Sequence, residues 1–153
     1  MLDFIQELRE LSGYKPVGIK LALGRKSEFV AMCKAMVEKQ ITPDFITVDG
    51  SEGGTGAAPI ELMNSVGTPM RDGLNFVHNA LIGFGVRDDV RIIVAGKVIS
   101  AFHMMRVLAL GADTITPPIA GDALDHVYSI NDLMDFDDFR KAMKKTAAKK
   151  VCI

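Results

Sequence analysis

Tryptophan is absent from this chain of 153 residues, and aromatic residues make up only 7% of it. Cysteine occurs twice, at Cys33 and Cys152. That excludes a disulfide framework and any CxxC pair for zinc or an iron–sulfur cluster. Neither sign of charge dominates: 18 basic and 19 acidic side chains leave a net charge of −1. No global field therefore recruits nucleic acid or an anionic membrane. Apolar runs stay below the roughly 18 residues that a membrane span needs. The opening Met1–Glu10 lacks the charged start and long apolar run of a secretory signal. These absences leave a small-molecule partner and a reducing, cytoplasmic setting as the expectation. What is present is apolar: 48% of residues are hydrophobic. That is enough for one domain over 1–153 with a sizeable core.

Apolar periodicity sets the organisation. Leu2, Ile5 and Leu8 fall at helical spacing and predict a helix over 2–11. Pro16 stops it, and Val17–Ala22 reads as a short buried strand. Ser27 is the expected N-cap of the next helix, whose apolar stripe is Phe29, Val30, Cys33, Met36 and Val37. Asp44–Val48 and Arg91–Ala95 read as the second and third strands, and Asp113–Thr116 as the fourth. Between them, a short helix is expected near Pro59–Met63. A longer one is expected over 68–83 with Leu74, Val77, Leu81 and Ile82 inward, and another starts near Ser100. Gly111 suits the position just past that helix. A last helix is expected over 131–149, with Asp132–Asp138 acids at its start and lysines at its end, matching its dipole. Alternating strands and helices with short connections mean parallel strands and right-handed crossovers. The four βα units form either an open doubly wound sheet or half of a TIM (βα)₈ barrel, since a whole barrel needs about 250 residues.

Either architecture places ligands at the carboxyl ends of the strands. Here those ends carry Lys20, the loop Gly50–Gly56, Gly96-Lys97 and the segment after Thr116. The glycine loop, Asp49-Gly50-Ser51-Glu52-Gly53-Gly54-Thr55-Gly56, follows a strand directly. Glycines there let a planar or anionic ligand approach backbone N–H groups. Glu52 is a candidate general acid/base, or simply a carboxylate capping the next helix. Asp49 is expected to bind the N–H groups of its own turn. Lys20 is either a site cation, a Schiff-base nucleophile or one half of a surface ion pair. His78 and His103 read as packed or surface histidines, and His126 has no ligand partner in sequence, so no metal site is expected.

Several of these segments together resemble the FMN-binding domain of the glutamate synthase family. They are Pro16–Leu21, Pro43–Pro59, Gly67–Leu74, Val77–Leu81, Gly96-Lys97 and Arg106–Asp113. The resemblance covers 15–114 and is closest to the stand-alone glutamate synthase-like proteins. It implies the carboxyl-terminal four βα units of a (βα)₈ barrel that binds FMN. It implies Lys20 beside the flavin ring, Gly53, Gly54, Thr55 and Gly56 approaching flavin and substrate, and Gly96 and Lys97 at the FMN phosphate. The implied chemistry is an FMN-dependent oxidoreductase reducing 2-iminoglutarate to glutamate.

The chain departs from that pattern in two places. After the fourth strand it reads Thr116-Pro117-Pro118-Ile119-Ala120-Gly121-Asp122, where prolines remove donors and Asp122 repels a phosphate. The cysteines of the family's iron–sulfur cluster are absent, so 117–153 is a divergent carboxyl segment. The first four βα units are also missing. A non-catalytic half-barrel subunit that pairs with itself as a homodimer, or with a missing barrel half, is therefore the rival reading. Gly111–Pro118 is also similar, over a short stretch, to transaldolase-like small aldolases, which adds a Schiff-base aldolase using Lys20.

Overall fold

The computed structural model describes residues 1–51, 61, 67–96, 98, 100–116 and 128–129. Helix α1 (Leu2–Leu11) leads into strand β1 (Gly18–Ala22), helix α2 (Lys26–Lys39) and strand β2 (Phe45–Asp49). Then come helix α3 (Met70–Gly83), a 3₁₀ turn (Arg87–Asp89), strand β3 (Arg91–Ala95), helix α4 (Ala101–Ala109), strand β4 (Thr114–Thr116) and the two-residue β5 (Tyr128–Ser129). The sheet order is β1-β2-β3-β4-β5. The first four strands are parallel, and β5 runs antiparallel to β4. Each successive parallel strand thus adds on the same side, with no reversal of strand order. A doubly wound sheet would reverse at a switch point. The sequential order is that of half a (βα)₈ barrel.

The register explains the two faces. Ile19, Ile46 and Ile92 stand side by side, as do Leu21, Val48, Val94 and Ile115. These rows face the helices: a Cβ on Gly73 of α3 would lie 3.6 Å from Val48. The core there joins them to Phe29, Cys33 and Met36 of α2, to Leu74, Val77 and Leu81 of α3, and to Val107 of α4. Strands alternate their side chains, so the opposite face carries Lys20, Thr47, Asp49, Ile93, Ala95, Thr114 and Thr116. It is the small, polar face that a barrel would enclose. Cys33 is fully buried, and burial pushes its thiol up from 9.0 to about 11. The folded state therefore holds a proton that the unfolded chain loses above pH 9, so this residue lowers stability as pH climbs from 9 towards 11.

One device recurs at the amino ends of the strands. Asp44 donates its N–H to Val17 O (2.9 Å), and its Oδ2 accepts the Val17 N–H at 2.7 Å. Asp113 repeats this with Ile92, at 2.8 and 2.7 Å. Each carboxylate is also held by an arginine: Arg9 from α1 on Asp44 (3.0 Å), Arg87 on Asp113 (2.8 Å). A carboxylate bonded to the neighbouring strand fixes where two parallel strands begin, and so fixes their register.

The helices and strands follow the sequence expectations with four corrections. The N-cap of α2 is Arg25, with no side-chain capping bond, and Ser27 lies inside the helix. Val30, Val37 and Ile82, expected inward, are exposed, because they sit beside the narrow buried stripes rather than on them. Helix α3 starts at Met70, after Pro69. Strand β5 has no counterpart in the apolar pattern. Ser100 does cap α4, its Oγ accepting the His103 N–H at 3.2 Å. The helices expected near 59–63 and over 131–149 lie outside the described residues.

Charge-assisted hydrogen bonds are worth roughly 1.5–3 kcal/mol each. Asp113→Ala removes one from Arg87 and orphans the Ile92 N–H, so it is expected to cost about 3 kcal/mol. Urea unfolding checks this, as a lowered midpoint at unchanged slope. A change of the size usual for exposed surface substitutions, within about 0.5 kcal/mol, would mean the register is held elsewhere.

Candidate functional site

The carboxyl ends of β1 and β2 bring together two charges that the sequence separates by almost thirty positions. Lys20 is the middle residue of β1 and stands opposite Thr47. Asp49 lies two residues further along β2, on the same face. The Lys20 Nζ approaches Asp49 Oδ2 at 3.1 Å. Asp49 therefore pairs across the strands, where the sequence reading gave it to its own turn. The partners differ sharply in exposure: the Lys20 side chain is 55% exposed and that of Asp49 only 6%. Asp49 Oδ2 accepts no hydrogen bond, so the ammonium is its compensation. In register with Asp49 stand Ala22 and Ala95, which keep that row small.

The chain then leaves and returns at the same place. Ser51 donates its N–H to Thr68 O at 3.2 Å, and Thr68 donates to Leu23 O at 2.8 Å. Gly67 makes that return with φ +109°, a backbone state that disfavours side chains. Both anchors of the glycine loop thus sit at the carboxyl ends of β1 and β2. Glu52, Gly53, Gly54, Thr55 and Gly56 lie outside the described residues, as does Lys97. Gly96 follows β3, and its carbonyl accepts the Val98 N–H at 2.8 Å, so that donor is already used. Thr116, half-buried, ends β4.

A cleft of about 510 Å³ opens at the other end of the sheet, lined by residues including His78, Arg87, Arg91 and Asp113. Sequence reasoning gave no hint of it. Arg87 there makes four hydrogen bonds. Its Nε donates to His78 Nδ1 (3.1 Å), Nη1 to Val90 O (2.8 Å), and Nη2 to Gly111 O (3.0 Å) and Asp113. Gly111 has φ +111°, and a Cβ on it would strike the His78 ring at 2.5 Å. Arg87 and Asp113 thus bind α3 to the entry of β4, while Arg91 stays largely exposed, 3.8 Å from Asp113. The signal that could have revealed it is the aspartate standing just before a strand at both 44 and 113. His103 is half-buried on α4. No group of three or more metal-ligating side chains occurs among the described residues, and no helix there is long and apolar enough to cross a membrane.

The fold and this face define an α/β half-barrel with a charged pair at the carboxyl ends of its strands. Comparison with known proteins gives the family. A family signature described as "Conserved region in glutamate synthase" matches residues 1–124. The chain belongs to the glutamate synthase family. It is 44% identical over 115 residues to the glutamate synthase large subunit-like protein YerD of Bacillus subtilis, covering 75% of this chain and 22% of that protein. It is 36% identical over 112 residues to the archaeal glutamate synthase [NADPH] of Archaeoglobus fulgidus, covering 72% and 21%. The chain thus spans about a fifth of the length of these curated relatives. A shorter similarity, 64% identity over 42 residues, links 26% of the chain to 11% of the rubredoxin-NAD(+) reductase of Alcanivorax borkumensis.

Proposed function

We propose that this chain is the carboxyl-terminal half of a glutamate synthase-like, FMN-dependent oxidoreductase barrel acting on 2-iminoglutarate. The observation that carries the reading is Lys20: a half-exposed cation on the inner face, held by a buried carboxylate where parallel βα units bind ligands. The described part of the face fits a flat ring. Ala22, Gly50, Ala95 and Gly96 leave the strand ends without bulk, and Lys20 supplies a donor at the rim. For the phosphate, the candidate donors at Gly96 and Lys97 are joined by the N-terminus of α4, which starts at Ala101.

FMN, when bound, supplies reversible hydride and electron transfer. The protein's share follows from its residues. Lys20 sets positive charge beside the ring, which favours the build-up of negative charge there. Gly53, Gly54, Thr55 and Gly56 let the ring and substrate approach the backbone. Glu52 gives or takes a proton. Lys20→Ala is expected to weaken FMN binding about tenfold, the equivalent of about 1.4 kcal/mol. Flavin fluorescence quenching on titration measures this, and unchanged affinity would place the flavin away from Lys20. The Schiff-base aldolase gains no support: the ion pair with Asp49 employs the ammonium, whereas that chemistry needs the free amine.

A second reading, assembly, rests on β1. Ile19 and Leu21 are only half-buried while their register mates Ile46, Val48, Ile92 and Val94 are fully buried. The outer edge of β1 pairs with no strand among the described residues, and such edges attract partners. The edge of β4 carries β5 instead. Self-association or a missing barrel half is thus expected to use β1. Light scattering on the eluting protein should show a dimer or larger species. A monomer at all concentrations removes self-association.

The family signature ends at residue 124, within the carboxyl segment 117–153. We infer that the carboxyl segment 117–153 takes no part in the flavin site. A chain ending at Thr116 should then bind FMN as well as the full chain does. Loss of that binding would assign the segment to the flavin site.

A further inference from the structure

We propose that Asp49 is the positioning residue for Lys20: its buried carboxylate fixes the ammonium over the carboxyl ends of β1 and β2 and leaves the remaining N–H groups for an electron-rich ring or carbonyl. This rests on the reading of Lys20 as the ligand-facing cation. The argument lies in the asymmetry of the pair. Lys20 is more than half exposed and would be solvated without Asp49. Asp49 is almost fully buried, and its Oδ2 has the Lys20 ammonium at 3.1 Å but no hydrogen bond. A carboxylate so placed costs stability unless it is compensated. Exposed ion pairs contribute little, so the arrangement makes poor sense as a stabilising surface bridge.

Its geometry suits orientation instead. Lys20 and Asp49 lie diagonally across a parallel pair, with Ala22 opposite Asp49. The small methyl leaves the lysine stem room to cross to the neighbouring strand. The ammonium lies 3.1 Å from the carboxylate without a hydrogen bond to it, so its donors stay available to a ligand. Rotamer freedom of a long lysine is lost before binding rather than during it, which is what preorganisation requires.

The test uses Lys20→Met, Asp49→Asn and the double variant, with three readouts. The first is the rate at which an amine-acylating reagent modifies Lys20 in the native protein, read by peptide mass spectrometry. Asp49→Asn should raise that rate several-fold and leave Lys34 unchanged. An unchanged Lys20 rate overturns the proposal. The second is thermal unfolding. Lys20→Met leaves the Asp49 carboxylate buried without its partner and should lower Tm, while the double variant recovers most of the loss. Strictly additive effects contradict the coupling. If Asp49→Asn fails to fold, the double variant decides: folding restored supports the pairing, and a double variant equally unfolded gives Asp49 a purely structural role. The third is FMN titration, in which Asp49→Asn should weaken binding as Lys20→Ala does. Wild-type protein that binds no FMN removes the flavin reading, while the acylation result still stands or falls by itself.

Discussion

The carboxylates of Asp44 and Asp113 fix the starting points of the strands, and the rest of the molecule depends on that. Parallel strands have no tight turn to set their register, because each crossover runs through a whole helix. A slip of one residue would turn every side chain to the wrong face. Here the aspartate just before β2 or β4 reads the backbone of its neighbour and is clamped by an arginine from outside the sheet. With register fixed, the isoleucine and valine rows meet the helices, and Lys20, Thr47 and Asp49 fall on the inner face. Asp44 and Asp113 at the amino ends are thus spent on architecture.

This division resolves the competition between two polar regions. The amino-end cleft is roomy, yet Arg87 has its guanidinium committed to His78, Val90, Gly111 and Asp113. The carboxyl end holds a lysine that remains half exposed after pairing. We propose the lysine end as the ligand site. Membership of the glutamate synthase family agrees with that choice, since the fold class places ligands at this end. The edges of the sheet tell the other half of the story. β4 is covered by β5, while the inadequately covered Ile19 and Leu21 mark β1 as the place where further structure would add.

Much of this was legible in the sequence. Prolines, glycines and apolar runs located all four parallel strands within about one residue, the usual scatter of element ends. The motif order gave the family. What escaped was long-range and polar. Asp49 read as a turn residue because turn aspartates bond locally, and only strand pairing brings Lys20 within reach. Arg87 and His78 lie nine positions apart with no periodic relation, so their hydrogen bond could not be foreseen. Ser27 looked like a cap by type, but the chain enters α2 at Arg25 and caps it with backbone alone. Val30, Val37 and Ile82 fit an apolar stripe by spacing, yet the sheet is only wide enough to cover the centre of each.

We propose the carboxyl ends of the strands, rather than the amino-end cleft, as the ligand site. The most direct measurement is an amide NMR titration of the isotope-labelled chain with FMN. The account predicts that perturbed signals cluster at Lys20–Ala22, Asp49–Ser51, Gly96 and Thr116, while Gly85–Asp88 and Arg91 stay unmoved. Perturbations gathered on the His78–Arg87 cleft, or none at saturating FMN, would contradict it.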